Sequence, residues 1–351
     1  MPRGGVFIPT GVGRRGVFMK NYHFETLPAR LLGRAVCENG ILKAEMTASG
    51  FIFTADLNGK VLLDLELFGE ESGLLGVEID GNFDGMAALQ VPAGRQTLPI
   101  AHLKGVHTIR VVKLNEYVRN RLWFYGLTID GQALQPPAPK ERRLDFFGDS
   151  LTCGYGNLSI NRNCPDPFCL QEHGYRTYAA FLAQRLNAEF SVAAASGFGL
   201  CYSFGGNTTD IADSFWNLAL PSEKKLWDFS KFIAQDVFIN LGTNDMNFAQ
   251  NNRHPISFEM LYAAADKLIG GIRANNPDCR IFIVTGFNGS LQNEYMNLNA
   301  VYNEIVKAYS DIWFWGDIHT TQSGGDWHPN VADHQHAAEQ IYNRLTQAGL
   351  Y

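Results

Sequence analysis

The chain has 351 residues, 46% hydrophobic and 18% charged, which supplies apolar material for about two ordinary cores and excludes a disordered chain. A net charge of −6, with 29 scattered Lys and Arg residues and a pI near 5.9, leaves no electrostatic footprint for nucleic acid or an anionic membrane surface. Apolar runs such as residues 237–239 fall far short of the ~20 residues of a membrane helix, the first residues lack a secretory apolar stretch, and six cysteines are too few for a disulfide scaffold, so the expectation is a soluble, cytoplasmic protein of two domains.

After an extension over residues 1–20, residues 21–135 read as all-β. Phe51, Phe53, Ala55 and Leu57 alternate with smaller or polar neighbours, and Val61, Leu63, Leu65 and Leu67 share one face of a second run. Further β-rich runs cover residues 76–80, 96–100, 107–114 and 122–130, and Asn58-Gly59, Asp80-Gly81 and Asp130-Gly131 read as the turns between them. Many short strands at this spacing predict a β-sandwich of the jelly-roll type.

Pro136, Pro137 and Pro139 mark a linker over residues 136–142, because prolines hold the chain extended and cannot donate to a sheet ladder. From residue 143 to 351 the pattern becomes α/β. Apolar runs at 143–147, 190–194, 237–241, 281–285 and 312–315 alternate with helical spacings such as Leu261, Ala264, Leu268, Ile272 and Leu298, Val301, Ile305. Alternation of this kind predicts a parallel sheet covered by helices on both faces, a three-layer α/β/α domain.

Ligands and catalytic groups of such sheets gather at the carboxyl ends of the strands. Four of those ends carry chemistry. Gly148-Asp149-Ser150-Leu151 puts a hydroxyl directly after a buried strand, where it can serve as a nucleophile or simply cap a turn. Ser196-Gly197 offers a backbone N–H that can face an anion, or an ordinary glycine turn. Gly242-Thr243-Asn244-Asp245 can aim an amide NH₂ at an oxyanion, or form an Asx-turn. Finally, Asp326-Trp327-His328-Pro329 precedes a helix whose start, Asn330 with Asp333, resembles a capping box. His328 there is free to act as a general base, and Asp326 can fix its tautomer. His319, Asp326, His328, His334 and His336 match no metal-ligand spacing, and His334 and His336 read as exposed helix residues.

Taken in order, Ser150, Gly197, Asn244 and His328 resemble the four blocks that name the SGNH hydrolases. The fuller strings Gly148-Asp149-Ser150-Leu151-Thr152-Cys153-Gly154-Tyr155-Gly156, residues 241–245 and Asp326-x-His328-Pro329 resemble carbohydrate esterase family 2. Gly33-Arg34, residues 50–53 and His107-Thr108-Ile109-Arg110 with Lys113 resemble that family's jelly-roll domain. The resemblance implies a two-domain serine O-acetyl esterase of plant polysaccharides, of the acetylxylan esterase type. By position it implies Ser150 as nucleophile, His328 as base, and an oxyanion hole from Ser150, Gly197 and Asn244. The wider superfamily has its Asp three residues before the His, where this chain has Gly325; Asp326 at minus two matches the narrower family.

On this reading the partner is an acetylated xylan or glucomannan chain or its oligosaccharides, with Trp327 as an exposed sugar platform and homo-oligomerisation open. Neither a cofactor nor a metal is required. An SGNH esterase on another acyl ester, a bacterial glycan acetate or a lipid, is the alternative, as is an inactive carbohydrate-binding protein. The cysteines are expected to be reduced, Cys164 and Cys169 being the one pair close enough in sequence to bridge easily.

Overall fold

The computed structural model describes residues 19–69, 72–163, 168–206 and 215–351. Its N-terminal half is built from β1 (Met19–Tyr22), β2 (Ala29–Leu32), β3 (Val36–Glu38), β4 (Ile41–Ala44), β5 (Gly50–Phe68), β6 (Gly73–Ile79), β7 (Ala87–Val91), β8 (Gly94–Lys113) and β9 (Arg121–Leu134). All pairings are antiparallel, in the order β3-β4-β9-β5-β8-β6-β7, with β1 on β9 and β2 on β5. The predicted alternation holds along β5, whose odd-numbered residues from Phe51 to Leu67, Gly59 aside, fill one core with Ile109, Phe124 and Ile129.

Two predicted turns are absent. Asn58 and Gly59 lie inside β5 and pair with Lys104 and Leu103 of β8, and Asp130-Gly131 lies inside β9. Glycine serves close approach there: a Cβ on Gly131 would sit 2.1 Å from the carbonyl oxygen of Asp56. Only Asp80-Gly81 is a turn, with φ of +54° and +73°.

After residues 135–142, which carry no helix or strand, the C-terminal half begins. It contains β10 (Arg143–Gly148), α1 (Ser150–Cys153), α2 (Tyr178–Arg185), β11 (Glu189–Ala194), the small hairpin β12 (Leu218–Leu220) and β13 (Lys225–Leu226), β14 (Asp236–Asn240), α3 (Thr243–Asn252), α4 (Phe258–Asn275), β15 (Arg280–Val284), α5 (Leu298–Ala308), β16 (Ile312–Trp315) and α6 (Val331–Gln347). The sheet β11-β10-β14-β15-β16 is parallel throughout. Ala193, Ile239 and Ile283 on one face bury Leu268 of α4 and Val301 of α5. On the other face Phe146, Phe238 and Phe282, stacked 4.9 and 5.0 Å apart, bury Leu182 of α2 and Ile341 of α6. Three layers result. The strand order reverses at β10, so the carboxyl ends of β10, β11 and β14 open the crevice where doubly wound sheets place their ligands. Among the described residues no helix is long and apolar enough to cross a membrane.

The two halves share their cores. Val36 and Met46 pack with Ile239 and Leu268, while Leu32, Ile52 and Val112 pack with Tyr178 and Leu182. Arg34, fully buried, pairs with Asp145 of β10 at 3.2 Å and donates to the carbonyls of Trp216 and Leu218 at 2.5 and 3.0 Å.

Candidate active site

Ser150 follows β10 by two residues and opens the single turn α1. Asp149 caps that turn by accepting the Leu151 N–H at 3.0 Å, and Gly154 ends it with φ +89°. The tight strand-to-helix step needs Gly148, since a Cβ there would lie 2.0 Å from Thr152 Oγ1. Capping and presentation of the hydroxyl, which the sequence left as alternatives, occur together.

Ser150 Oγ lies 2.8 Å from His328 Nε2. The other ring nitrogen, Nδ1, is 3.0 Å from the backbone carbonyl of Asp326. An amide carbonyl only accepts, so Nδ1 carries the proton of the neutral ring and Nε2 presents its lone pair to the serine hydroxyl. Burial holds the His328 pKa below 6.5, opposed by the backbone hydrogen bond and the charge of Asp326. The sequence reading gave the tautomer-fixing place to Asp326. Its carbonyl fills that place, and its carboxylate instead accepts the Tyr155 hydroxyl at 3.0 Å. The reason is backbone conformation: Asp326 and Trp327 both lie in the left-handed region, with φ of +49° and +62°, which turns the carbonyl toward the ring. Each such non-glycine residue costs about 1–3 kcal/mol and persists only where its surroundings impose it. Here Gly325 N–H donates to Gly156 O (2.9 Å), Asp326 N–H to Arg162 O (3.0 Å) and Gly324 N–H to His328 O (2.8 Å). The Tyr155 ring packs 4.5 Å from the imidazole.

Gly197, three residues past β11, has φ +80°, and its carbonyl accepts Phe204 N–H at 2.7 Å. Asn244, in the first turn of α3, donates both Nδ2 protons, to Asp149 Oδ2 at 3.1 Å and to the Phe198 carbonyl at 2.9 Å. Because Gly148 pairs with Ala194 and Asn240 in register, Ser150, Gly197 and Asn244 issue from one edge of the sheet. Asp245 anchors the loop after Gly197 by accepting the N–H groups of Leu200, Cys201 and Tyr202 at 2.6–2.8 Å. The Asp149 carboxyl is pushed up to about 7, mainly by burial and further by the charges of Asp245 and Glu116.

Trp327 is 58% exposed, with the Arg162 guanidinium 3.6 Å from its ring centroid. The histidine cluster does not assemble. His319 and His336 are exposed, but His334, expected on the surface, is fully buried, because it shares the apolar stripe of α6 with Ala337, Ala338, Ile341 and Leu345. Its Nδ1 accepts the Tyr178 N–H at 3.2 Å, and burial drives its pKa to about 3. The capping box of Asn330 and Asp333 forms as read. Among the described residues the group whose ligand atoms come within reach of one ion is Glu116, Cys153 and Glu172; its carboxylates feel the Lys113 ammonium, itself depressed to about 8 by burial. Cys37, Cys153, Cys201 and Cys279 are free thiols. Cys164 and the side chain of Cys169 lie outside the described residues. Tyr155 and Glu116 escaped the sequence reading; Tyr155 lay inside the quoted Gly154-Tyr155-Gly156 string, whereas nothing local marks Glu116.

A three-layer α/β/α fold with a Ser–His pair at the switch point of its sheet supplies the nucleophile and base that carboxylic ester hydrolases use. The pattern of the GDSL-like lipase/acylhydrolase family matches residues 146–342, more than half of the chain, and the chain belongs to that family. Over 253 residues, 68% of its length, it is 32% identical to the cellulase/esterase CelE of Acetivibrio thermocellus, of which it spans only 30%. It is 27% identical over 272 residues to an acetylxylan esterase / glucomannan deacetylase of Cellvibrio japonicus, covering 72% of this chain and 73% of that protein. Its fold superposes on a family two carbohydrate esterase from Clostridium thermocellum, solved in complex with cellohexaose, with a TM-score of 0.81 and 27% identity over 92% of this chain and 100% of that one. The likeness to carbohydrate esterase family 2 therefore holds beyond the motifs.

Proposed function

We propose that this chain is a serine O-acetyl esterase that removes acetyl groups from plant polysaccharides or their oligosaccharides, acetylated xylan or glucomannan, through an acetyl-serine intermediate. The observation that carries this reading is the 2.8 Å contact between Ser150 Oγ and His328 Nε2, with Nδ1 committed to the Asp326 carbonyl. Ser150 Oγ attacks the acetyl carbonyl while Nε2 takes its proton. The oxyanion is bound by the N–H groups of Ser150 and Gly197 and by Asn244, which exchanges its Phe198 carbonyl for it. The imidazolium then protonates the departing sugar oxygen. Next, His328 deprotonates a water, the water attacks the acetyl carbon, and the imidazolium returns the proton to Ser150 Oγ as acetate leaves. In this reading residues 21–135 form a jelly roll joined by residues 136–142 to the hydrolase domain 143–351, and the neutral, acetylated glycan lies between them.

The test is acetate release from acetylated xylan and glucomannan oligosaccharides, beside 4-nitrophenyl acetate, for the wild type and Ser150→Ala. Turnover of all three that Ser150→Ala abolishes is the expected result. Binding of the oligosaccharides with no Ser150-dependent release of acetate would overturn it in favour of a binding protein.

A further inference from the structure

β8 does not stop at the edge of its own half. The chain leaving it, Leu114-Asn115-Glu116, lies against the loop Glu172-His173-Gly174 of the C-terminal half. Gly174 N–H donates to the Leu114 carbonyl at 2.8 Å, Asn115 Nδ2 to the Glu172 carbonyl at 3.3 Å, and Glu116 N–H to Glu172 Oε1 at 2.9 Å. Held this way, the fully buried Glu116 side chain reaches past the Ser150 turn, and its Oε2 accepts the N–H of Ser196 at 2.6 Å. Ser196 is the residue before Gly197.

We propose that Glu116 is a positioning residue: a carboxylate from the β-rich half that grips the Ser196 amide and thereby sets the direction of the next amide along, the Gly197 N–H, toward the oxyanion. This rests on the reading of Gly197 as an oxyanion donor. The physical case has three parts. A buried N–H stays aimed at the one acceptor within reach, so Glu116 Oε2, 2.6 Å from Ser196 N, fixes the Ala195–Ser196 peptide plane from which the next plane, carrying the Gly197 N–H, continues. An oxyanion donor works through pre-organisation, so the angle of its N–H matters as much as its presence. Burial pushes the Glu116 carboxyl up, and the Ser196 hydrogen bond and two nearby cations oppose that shift. Lys113 Nζ donates to the carbonyls of Asn115 and Glu116 at 2.5 and 2.8 Å, and Arg119 Nε lies 3.8 Å from Glu116 Oε1. The carboxyls of Glu172 and Asp149 and the Cys153 thiol stand near it as the other titratable groups. Glu116 thus contributes to the chemistry through the shape of the site, without touching substrate.

Two substitutions separate this role from plain packing. Glu116→Gln keeps an oxygen that reaches Ser196 N–H and stays within about threefold of wild-type kcat. Glu116→Asp keeps the carboxyl but withdraws it by one methylene; it lowers kcat on 4-nitrophenyl acetate by about 10–10²-fold at unchanged KM, below the ~10²–10³ of a deleted donor. The inhibition constant of a small boronic acid, whose adduct with Ser150 is tetrahedral, rises by the same factor as kcat falls. Hydrogen exchange over residues 195–199 quickens in Glu116→Asp and not in Glu116→Gln, a readout independent of turnover. A folded Glu116→Asp with wild-type kcat and unchanged exchange overturns the proposal, as does an equal loss in both variants that tracks the melting temperature. Absence of Ser150-dependent turnover in the wild type would instead remove the esterase reading and leave the exchange result to decide whether Glu116 holds the turn.

Discussion

The imidazole of His328 is held by the carbonyl of Asp326 and not by its carboxylate, which binds Tyr155 instead. Truncating Asp326 therefore leaves the tautomer-fixing acceptor in place and disturbs only the strap that holds it. Asp326→Ala should reduce kcat by no more than about tenfold, whereas His328→Ala should cost as much as Ser150→Ala, since those two act as a unit. Tyr155→Phe removes the other end of the strap. It should match Asp326→Ala, and the double variant should lose little more than either single one, the signature of one shared interaction. Equal losses for Asp326→Ala and His328→Ala would require a carboxylate-driven triad.

The pH profile follows from the same geometry. A general base works when unprotonated, and burial lowers the pKa of His328 from 6.5. Activity is then kept as pH falls below 6.5 and is lost only through the depressed value. The acidic limb of kcat/KM on 4-nitrophenyl acetate should lie below 6.5. Asp326→Asn removes a charge that raises this pKa and should move the limb lower still. A midpoint above 6.5 would mean the ring is solvated or ion-paired.

Asn244 is committed twice, to Asp149 and to the Phe198 carbonyl. Asn244→Ala should lower kcat by about 10²–10³ at unchanged KM, the usual size of one lost oxyanion donor. It should also lower the melting temperature, because the buried Asp149 carboxylate loses a donor. A variant with raised KM and unchanged kcat would remove Asn244 from the oxyanion site.

Arg34 tests the joint between the halves. Its guanidinium is fully buried against Asp145, with Phe147 and Phe229 5.3 and 5.6 Å away. Arg34→Met strands Asp145 in the core and should cost about 3–5 kcal/mol of stability. Adding Asp145→Asn should recover part of that loss, measured by denaturant unfolding. Full stability in Arg34→Met alone would show that the pair is not what closes the joint.

The parallel sheet, its helices and the four strand ends were legible because apolar runs and helical spacings are local signals. So was the Asn330–Asp333 box. What was not legible depends on distant partners. Asn58-Gly59 has the composition of a turn, and its place in a long strand, at an irregularity in the β5–β9 pairing, depends on a strand distant in sequence. His334 reads as polar, but its place on the stripe of α6 buries it. Residue type gives Asp326 a carboxylate and says nothing of where its carbonyl points. The reach of Glu116 to Ser196 exists only once the two halves have docked.

Trp327 carries the last prediction. It is 58% exposed beside His328. Arg162 lies 3.6 Å from the ring centroid, a cation–π stack that orients the indole, and on the proposed function the exposed part of the ring meets a pyranose. Sugar CH groups stack on such a face without charge, which suits a neutral acetylated chain, while 4-nitrophenyl acetate carries no sugar and gains nothing from it. Trp327→Ala should therefore raise KM for the oligosaccharide by about 10-fold, in line with roughly 1–2 kcal/mol of lost stacking, and change 4-nitrophenyl acetate turnover by less than about threefold. Arg162→Ala should show the same selectivity, more weakly, by freeing the indole to rotate. Trp327 also sits at φ +62°, so the melting temperature is recorded on the same preparations. Equal losses on both substrates with a fall in melting temperature would assign Trp327 to the loop and not to the sugar.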